Sequence, residues 1–245
     1  TPTVTQAPVS TSTPEQTSPS MPVATPQLTA SPTTTLTPKP DKTEMPILAP
    51  TVTPALAEHK LLAKWGWPGT GSEFLSPQGI TVDGTGNVYV TDTDNALVQK
   101  FSSTGAFLSK WGTEGSGDGQ FWGPEGIAID GAGNVYVAET RNNRVQKFSP
   151  SGVFLSKWGT RGHAEGQFET PEGIAIDGAG NVYVADTFNN RVQKFSPSGA
   201  FLSKWGIGGS GNGYFNFPRG IAVDGSGNVY VADTFNARVQ KFSPR

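Results

Sequence analysis

Four acidic side chains recur along the chain at a fixed interval of 47 residues. They are Asp92, Glu139, Asp186 and Asp233, and the last three precede Arg144, Arg191 and Arg238 at a constant spacing. An acid beside an arginine is one arrangement for acid–base or electrophilic chemistry. A pair that recurs in copy after copy is better explained as a structural ion pair or a turn lock. The sequence therefore assigns these residues no catalytic role.

Histidine and cysteine, which most often ligate metals or act as nucleophiles, are scarce. The chain has two histidines, His59 and His163, and no cysteine, so neither a multi-histidine metal centre nor a thiol nucleophile is predicted. The Asp-Gly-x-Gly-Asn turns offer too few spaced oxygens for an EF-hand-like calcium site and are typical of β-hairpins. They begin at Asp83, Asp130, Asp177 and Asp224. We therefore expect no enzyme, no metal and no cofactor.

The elements that position these side chains belong to a repeat. Gly126 to Gly159 reads GIAIDGAGNVYVAETRNNRVQKFSPSGVFLSKWG, and copies of its first glycine stand at Gly79, Gly173 and Gly220. A repeat of this length indicates a stacked or circular array of supersecondary units.

Each copy is predicted to be a four-stranded antiparallel meander. In the second copy the strands are expected at 126–130, 135–138, 144–148 and 153–158, separated by turns rich in Gly, Asn, Ser and Pro. The second strand, Val135 to Ala138, is apolar at successive positions and must be covered on both faces. A radial arrangement of such sheets supplies that cover.

The pattern Pro-x-Gly-Ile-Ala-[Val/Ile]-Asp-x-x-Gly-Asn-Val-Tyr-Val-Ala-Asp-Thr-x-Asn-x-Arg-Val-Gln-Lys-Phe resembles the NHL-repeat family of β-propellers. The resemblance covers residues 60–245 and implies an all-β propeller with four visible four-stranded blades. Two positions depart from the pattern: Leu97 replaces the arginine in the first copy, and Glu139 replaces aspartate in the second.

The repeats are offset at their ends. LLAKWG at residues 61–66 matches the closing piece of a repeat, and the last copy stops at KFSPR without that piece. We expect Leu61 to Trp65 to pair beside Val239 to Phe242 and complete the last blade, as in propeller closure. The chain is a four-bladed ring, a portion of a larger ring, or an open array that self-assembles.

Residues 1–58 are rich in Thr and Pro and poor in charge, which predicts a disordered linker before a propeller domain at 59–245. Such a spacer favours display outside a bacterial cell or on its envelope, with a cytoplasmic location as the alternative. The sequence has no run long and apolar enough to span a membrane. The net charge of −2 and the pI near 5.7 give no electrostatic reason to expect a nucleic acid as partner.

Residues that are identical in every copy build the blade, whereas one binding site must break the symmetry. The repeated Trp65, Trp111, Trp158 and Trp205 are therefore interpreted as packing between blades. The differences fall in the loops between repeats and in the turns between second and third strands, which emerge on one face of a four-strand meander. The candidate ligand-binding residues on this loop face are Trp67, Asp94, Trp122, Arg141, Arg161, His163, Phe188, Tyr214, Arg219 and Phe235.

Aromatic rings mixed with both signs of charge suit a protein, peptide or glycan ligand. The preferred function is thus a non-catalytic binding or sensory module on a Thr/Pro-rich tether. Two alternatives stay open from the resemblance: a scaffold in a larger protein such as a ubiquitin ligase, and a propeller lyase or lactonase. A third interpretation is that Phe188 and Phe235 only pack between neighbouring turns.

Overall fold

The computed structural model describes residues 60–66 and 72–244. The predicted linker at 1–58, its boundary with the propeller, and Trp67 lie outside these residues. In the described part the secondary structure is β-strand, apart from two single turns of 3-10 helix at Thr187–Asn189 and Thr234–Asn236. The expected all-β class is confirmed.

Four antiparallel sheets follow one another along the chain, each with its strands in sequence order. Blade 1 contains β1 Pro77–Val82, β2 Val88–Asp92, β3 Leu97–Phe101 and β4 Phe107–Trp111. Blade 2 contains β5 Pro124–Ile129, β6 Val135–Glu139, β7 Arg144–Phe148 and β8 Phe154–Trp158. Blade 3 contains β9 Pro171–Ile176, β10 Val182–Asp186, β11 Arg191–Phe195 and β12 Phe201–Trp205. Blade 4 contains β13 Pro218–Val223, β14 Val229–Asp233 and β15 Arg238–Phe242.

The first hairpin of each blade is fixed by its aspartate. In blade 2, Asp130 Oδ1 accepts backbone hydrogen bonds from Ala132 and Asn134, and Oδ2 accepts one from Tyr136 Oη at 3.0 Å. Gly133 takes a φ of 82°, a conformation that glycine adopts at little cost. The turn is therefore a hairpin turn, as predicted, and both oxygens of its carboxylate accept hydrogen bonds from the hairpin.

Neighbouring blades share their cores. Between blades 2 and 3, Tyr136, Val145 and Trp158 of one blade meet Phe168 and Phe195 of the next. The Trp158 and Phe195 ring centroids are 5.8 Å apart. The prediction that the repeated tryptophans pack between blades is confirmed for Trp111, Trp158 and Trp205.

The repeated glycine at the head of each first strand has a packing reason. A Cβ on Gly126 would lie 2.2 Å from the backbone oxygen of Glu172 in the next blade. Only glycine allows first strands to approach this closely around the axis. In the same way β5 packs against β1 and β9, and β9 against β13.

The expected closure of the last blade is wrong in its pairing. Blade 4 has three strands, and residues 60–66 form no strand in the structure. Instead Trp65 packs on blade 1, with its ring centroid 6.0 Å from that of Phe101. LLAKWG resembles a fourth strand in sequence, but in the structure its tryptophan packs against blade 1 and the segment does not pair with β15.

No helix within residues 60–66 and 72–244 has the length and apolar character needed to cross a membrane.

Candidate functional site

In blades 2 to 4 the recurrent acid and arginine form an ion pair beneath the loop that precedes the blade, and we call this pair with its hydrogen bonds to the loop the lock. Asp186 in blade 3 is fully buried and accepts a hydrogen bond from Arg191 Nε at 2.7 Å. The other guanidinium nitrogens donate to the backbone oxygens of His163, Ala164 and Gln167. Because its guanidinium donors bind Asp186 and the loop backbone, Arg191 is a structural residue, as its recurrence in the repeats predicted.

Burial raises the pKa of the Asp186 carboxyl, although hydrogen bonds from Glu169 N and the Asn189 and Arg191 side chains act in the opposite direction. A carboxylate held this way has no open side on which to meet a ligand. The same lock holds the loops of blades 2 and 4 through Arg144 and Arg238.

Blade 1 carries Leu97 at the arginine position, and its lock is correspondingly reduced. Asp92 still accepts hydrogen bonds from Leu75 N, Ser76 N and the Gln99 amide. Gln99 Oε1 is buried with no partner in the described part of the chain. The acid–arginine contact of blades 2 to 4 is therefore absent from blade 1, as the replacement of arginine by Leu97 requires.

Three phenylalanines on the loop face form one cluster, which we call the aromatic cluster: Phe188, Phe217 and Phe235. The Phe217 ring lies between the other two, with centroid distances of 4.9 Å to Phe188 and 5.1 Å to Phe235, both edge to face. Phe188 is 52% exposed and Phe235 is 63% exposed. The rings thus pack together and still present apolar surface to solvent.

Phe217 adopts an unfavourable backbone conformation, with a φ of 51°. Bulky side chains rarely occupy this left-handed region. The second copy places Gly123 at the same point of the repeat, with a φ of 68°. The third copy has Thr170 there, with a φ of 53°, so the left-handed backbone belongs to this position of the repeat and what distinguishes the last copy is its phenylalanine ring.

Two other candidates lie on the loops around blades 3 and 4. His163 Nδ1 is within hydrogen-bond distance of Asn189 Oδ1, in the turn that carries Phe188. Tyr214 is 43% exposed, and its ring lies against Gly209. Both therefore lie on the same face as the aromatic cluster.

Arg161, also in the loop before blade 3, is paired with Glu169. The Arg161 guanidinium lies 2.8 Å from Glu169 Oε1, and the arginine side chain is 75% exposed. Such a pair is screened by solvent and leaves the guanidinium reachable.

The structure does not bring all candidates together. Trp122 is 47% exposed and accepts a backbone hydrogen bond from Arg141, so these two form a separate pair on blade 2. Asp94 is exposed on the corresponding turn of blade 1, two blades away from Phe188. The loop face therefore has an aromatic part on blades 3 and 4 and a more polar part on blades 1 and 2.

Arg219 is not in a loop: it is the second residue of β13, on the innermost strand. Its Nε lies 3.2 Å from Glu172 Oε2, at the corresponding position of β9. Glu125 holds that position in β5, so the Pro-x-Gly motif places a row of charges on successive first strands.

Burial raises the pKa of the Glu172 carboxyl, with Arg219 lowering it and Glu125 raising it further. The Glu125 pKa is also raised by burial, against a hydrogen bond from Thr140 and the charges of Arg219 and Arg141. These two acids couple electrostatically to the arginines at the inner edge of the loop face.

Sequence reasoning missed three residues at this surface. Phe217 is a variable loop residue that was not among the ten candidates, since only the packing of the loops shows that its ring lies between Phe188 and Phe235. Glu125 and Glu172 were also missed, because they occupy the variable position of the Pro-x-Gly motif, whose other residues are repeated. Comparing the four residues at that position, Gln78, Glu125, Glu172 and Arg219, is the signal that would have found them.

No group of three or more His, Cys, Asp or Glu side chains within 60–66 and 72–244 is arranged to hold a metal ion.

The fold and the loop face together define a propeller built from sequence repeats. The family model of the NHL repeat matches residues 74–101, 121–148, 168–195 and 215–242. The chain belongs to the NHL-repeat proteins, and each matched stretch runs from the loop-anchoring phenylalanine to the end of the third strand.

Solved structures share this fold at low sequence identity. A streptogramin B lyase is 15% identical over 69% of this chain and 55% of its own, with a TM-score of 0.52. A protein of unknown function from Bacteroides thetaiotaomicron is 20% identical over 68% and 47%, with a TM-score of 0.56. A catalytically inactive virginiamycin B lyase from Staphylococcus aureus, solved with quinupristin, is 16% identical over 73% and 58%, with a TM-score of 0.52.

The chain spans about half the length of these solved structures. No curated protein matches the sequence.

Proposed function

We propose that this propeller is a non-catalytic binding module that recognises a segment of a partner protein through the aromatic cluster. The observation that supports it is the set of half-exposed Phe188 and Phe235 rings around the strained Phe217. Burying one exposed phenylalanine side chain stabilises a complex by about 1.5–3 kcal/mol. An apolar patch with a polar rim is typical of a protein contact surface.

The charges beside the cluster would set specificity. The Arg219–Glu172 pair and the exposed Arg161–Glu169 pair present both signs close to the aromatic part of the face. Exposed charges steer and select a partner more than they tighten binding. A phosphate backbone, by contrast, would require a surface of one sign.

We place the module outside the cell or on its envelope, displayed by the Thr/Pro-rich residues 1–58, on composition alone. The likeness to streptogramin-type lyases stands at 15–16% identity and extends to the fold. A lyase activity, like a role as a ubiquitin-ligase scaffold, therefore draws no support from the residues of the loop face.

The proposal is tested by panning a random linear peptide library against the full chain. Peptides with aromatic or aliphatic side chains are expected to be enriched, because the cluster offers apolar surface between edge-to-face rings. The control is Phe235→Arg, which installs the residue that the second copy carries at this position, Arg141. Enrichment should fall sharply with this variant.

A glycan array run in parallel separates the two ligand classes. Binding of glycans without peptide enrichment would contradict the proposal, as would peptides that bind the wild type and Phe235→Arg equally well.

A further inference from the structure

The three blade junctions inside the chain are copies of one another. Blades 1 to 3 each have a front, made of a tyrosine, a valine and a tryptophan from the second, third and fourth strands, whereas blade 4 has only the tyrosine and the valine. The next blade presents a back, made of its anchoring phenylalanine, an isoleucine of the first strand, two valines of the second and a phenylalanine of the third. The three shared cores consist of these two halves, front against back.

Within the described residues, one front and one back remain uncovered. Val239, on the front of blade 4, is 68% exposed, although the same valine is fully buried in blades 1 to 3. Ile80, on the back of blade 1, is 67% exposed, whereas Ile127 and Ile174 are each 7% exposed. The two surfaces are complementary because their equivalents already form three cores.

The segment at residues 60–66 already lies where the fourth strand of a preceding blade would be. The Trp65 ring packs on Phe101 at 6.0 Å, as Trp111 packs on Phe148 at 6.0 Å. A Cβ on Gly105 would lie 2.7 Å from the Trp65 ring, which repeats the contact of Gly152 with Trp111. Blade 1 therefore carries a segment in the place of a neighbour's outer strand, and residues 60–66 and 72–244 contain no further blade to which that segment belongs.

Blade 4 has the matching gap. A cavity of about 280 Å³ is lined by Trp205, Val229 and Phe242, next to the open edge of β15. In blade 3 the equivalent of Phe242 is Phe195, which packs against Phe201 of the fourth strand at 6.0 Å. Phe242 contacts Trp205 of blade 3 and Phe215, but in the described residues no ring from a fourth strand of its own blade lies beside it.

We infer that two copies of this chain assemble head to tail. Residues 61–65 of one copy become the fourth strand of blade 4 in the other, and the back of blade 1 covers the front of blade 4. By the register of blade 3, Leu61 would lie beside Phe242 and Ala63 beside Lys241. The segment keeps its contact with its own blade 1, so the junction needs no refolding.

The first strands provide an independent sign of a missing neighbour. A Cβ on Gly79, Gly126 or Gly173 would lie 2.0–2.2 Å from a backbone oxygen of the next blade. At Gly220 the nearest atom is the Cβ of Ala232, at 3.4 Å. Gly220 thus leaves room for one more carbonyl, which the assembly would fill with Gln78 of the second copy.

The head-to-tail contact is heterologous, so it must either close or propagate. The chain matches about half the length of each of the three solved structures reported above. Two copies joined at both junctions would therefore supply enough blades to close a ring. This inference rests on the fold and not on the proposed ligand, so either can fail without the other.

A mixing experiment tests the contact directly, since the chain has no cysteine. Full-length Ala63→Cys and Lys241→Cys proteins, mixed and oxidised, should form a disulfide-linked dimer. Ser109→Cys is the matched control, because Ser109 holds the same fourth-strand position but already pairs with Lys100 in its own blade. Its mixture with Lys241→Cys should not cross-link.

Light scattering over a concentration series supplies the second measurement. The wild type should reach twice the monomer mass of 25.8 kDa. Gly220→Ala should fold normally and raise the dissociation constant by roughly tenfold to a hundredfold, since its Cβ would meet the Gln78 carbonyl. A wild type that stays monomeric with no mixed cross-link would overturn the inference, and so would a dimer that forms equally well with Gly220→Ala.

Discussion

Individual residues divide into those that build a blade and those that do not. The buried Asp186–Arg191 pair ties a blade to the loop before it, and blades 2 and 4 have an equivalent acid–arginine pair, with glutamate as the acid in blade 2. Phe217, by contrast, occupies a left-handed position where the second copy has glycine. The repeated pair therefore accounts for stability, and the departure from the repeat points to binding.

Replacing Arg191 by leucine, the residue that blade 1 carries at Leu97, tests the lock. Removal of the guanidinium leaves Asp186 buried without its charge partner and frees three loop carbonyls. Breaking a buried pair in this way costs about 3–5 kcal/mol of unfolding free energy. Denaturant unfolding of the full chain measures it.

Arg161→Leu is the matched control, because it removes an arginine–glutamate pair whose arginine is exposed. Its unfolding midpoint should match the wild type within error. Equal losses for the two variants would contradict the assignment of the buried pair as the structural one.

At the scale of the elements, most of the fold could be predicted from the sequence. The apolar second strand and the Asp-Gly-x-Gly-Asn turn located the first hairpin of blade 2 to within two residues of Pro124–Ile129 and Val135–Glu139. These are local patterns that a single copy displays. The position of Arg219 inside β13 was missed, because strand ends depend on the neighbouring blade as much as on their own residues.

The packing of the first strands predicts different effects for the same substitution at two equivalent glycines, Gly126 and Gly220. Gly126→Ala would place a Cβ 2.2 Å from the Glu172 carbonyl, and the forced shift should cost about 1–3 kcal/mol. Gly220→Ala meets no atom closer than 3.4 Å within one chain and should change the stability of the monomer by less than about 0.5 kcal/mol. The two variants are compared by thermal unfolding at a protein concentration low enough for the chain to be monomeric.

Equal destabilisation by the two substitutions would show that Gly220 already has a first-strand neighbour. In that case the front of blade 4 would not be open.

At the scale of the whole molecule, sequence could not say whether the ring closes. Closure depends on the sum of the small rotations between successive blades, and this sum cannot be inferred from any single residue. The similarity of residues 61–66 to a fourth strand was visible, but which blade it would contact was not. Likewise the aromatic cluster joins Phe188, Phe217 and Phe235 from different loops, so it exists only once blades 3 and 4 are side by side.

The central claim is that repeated residues build this protein and that the residues that differ bind its partner. The most direct test replaces the aromatic cluster by what copy two carries at the same positions, in the triple variant Phe188→Arg, Phe217→Gly and Phe235→Arg. Titration calorimetry would measure its affinity for the peptide enriched on the wild type.

We predict that the triple variant keeps its unfolding free energy within about 1 kcal/mol, because the fold already accepts these residues in blade 2. Its affinity for that peptide should fall by roughly a hundredfold, as expected when a central aromatic contact is lost. An unchanged affinity in a stably folded triple variant would contradict the claim.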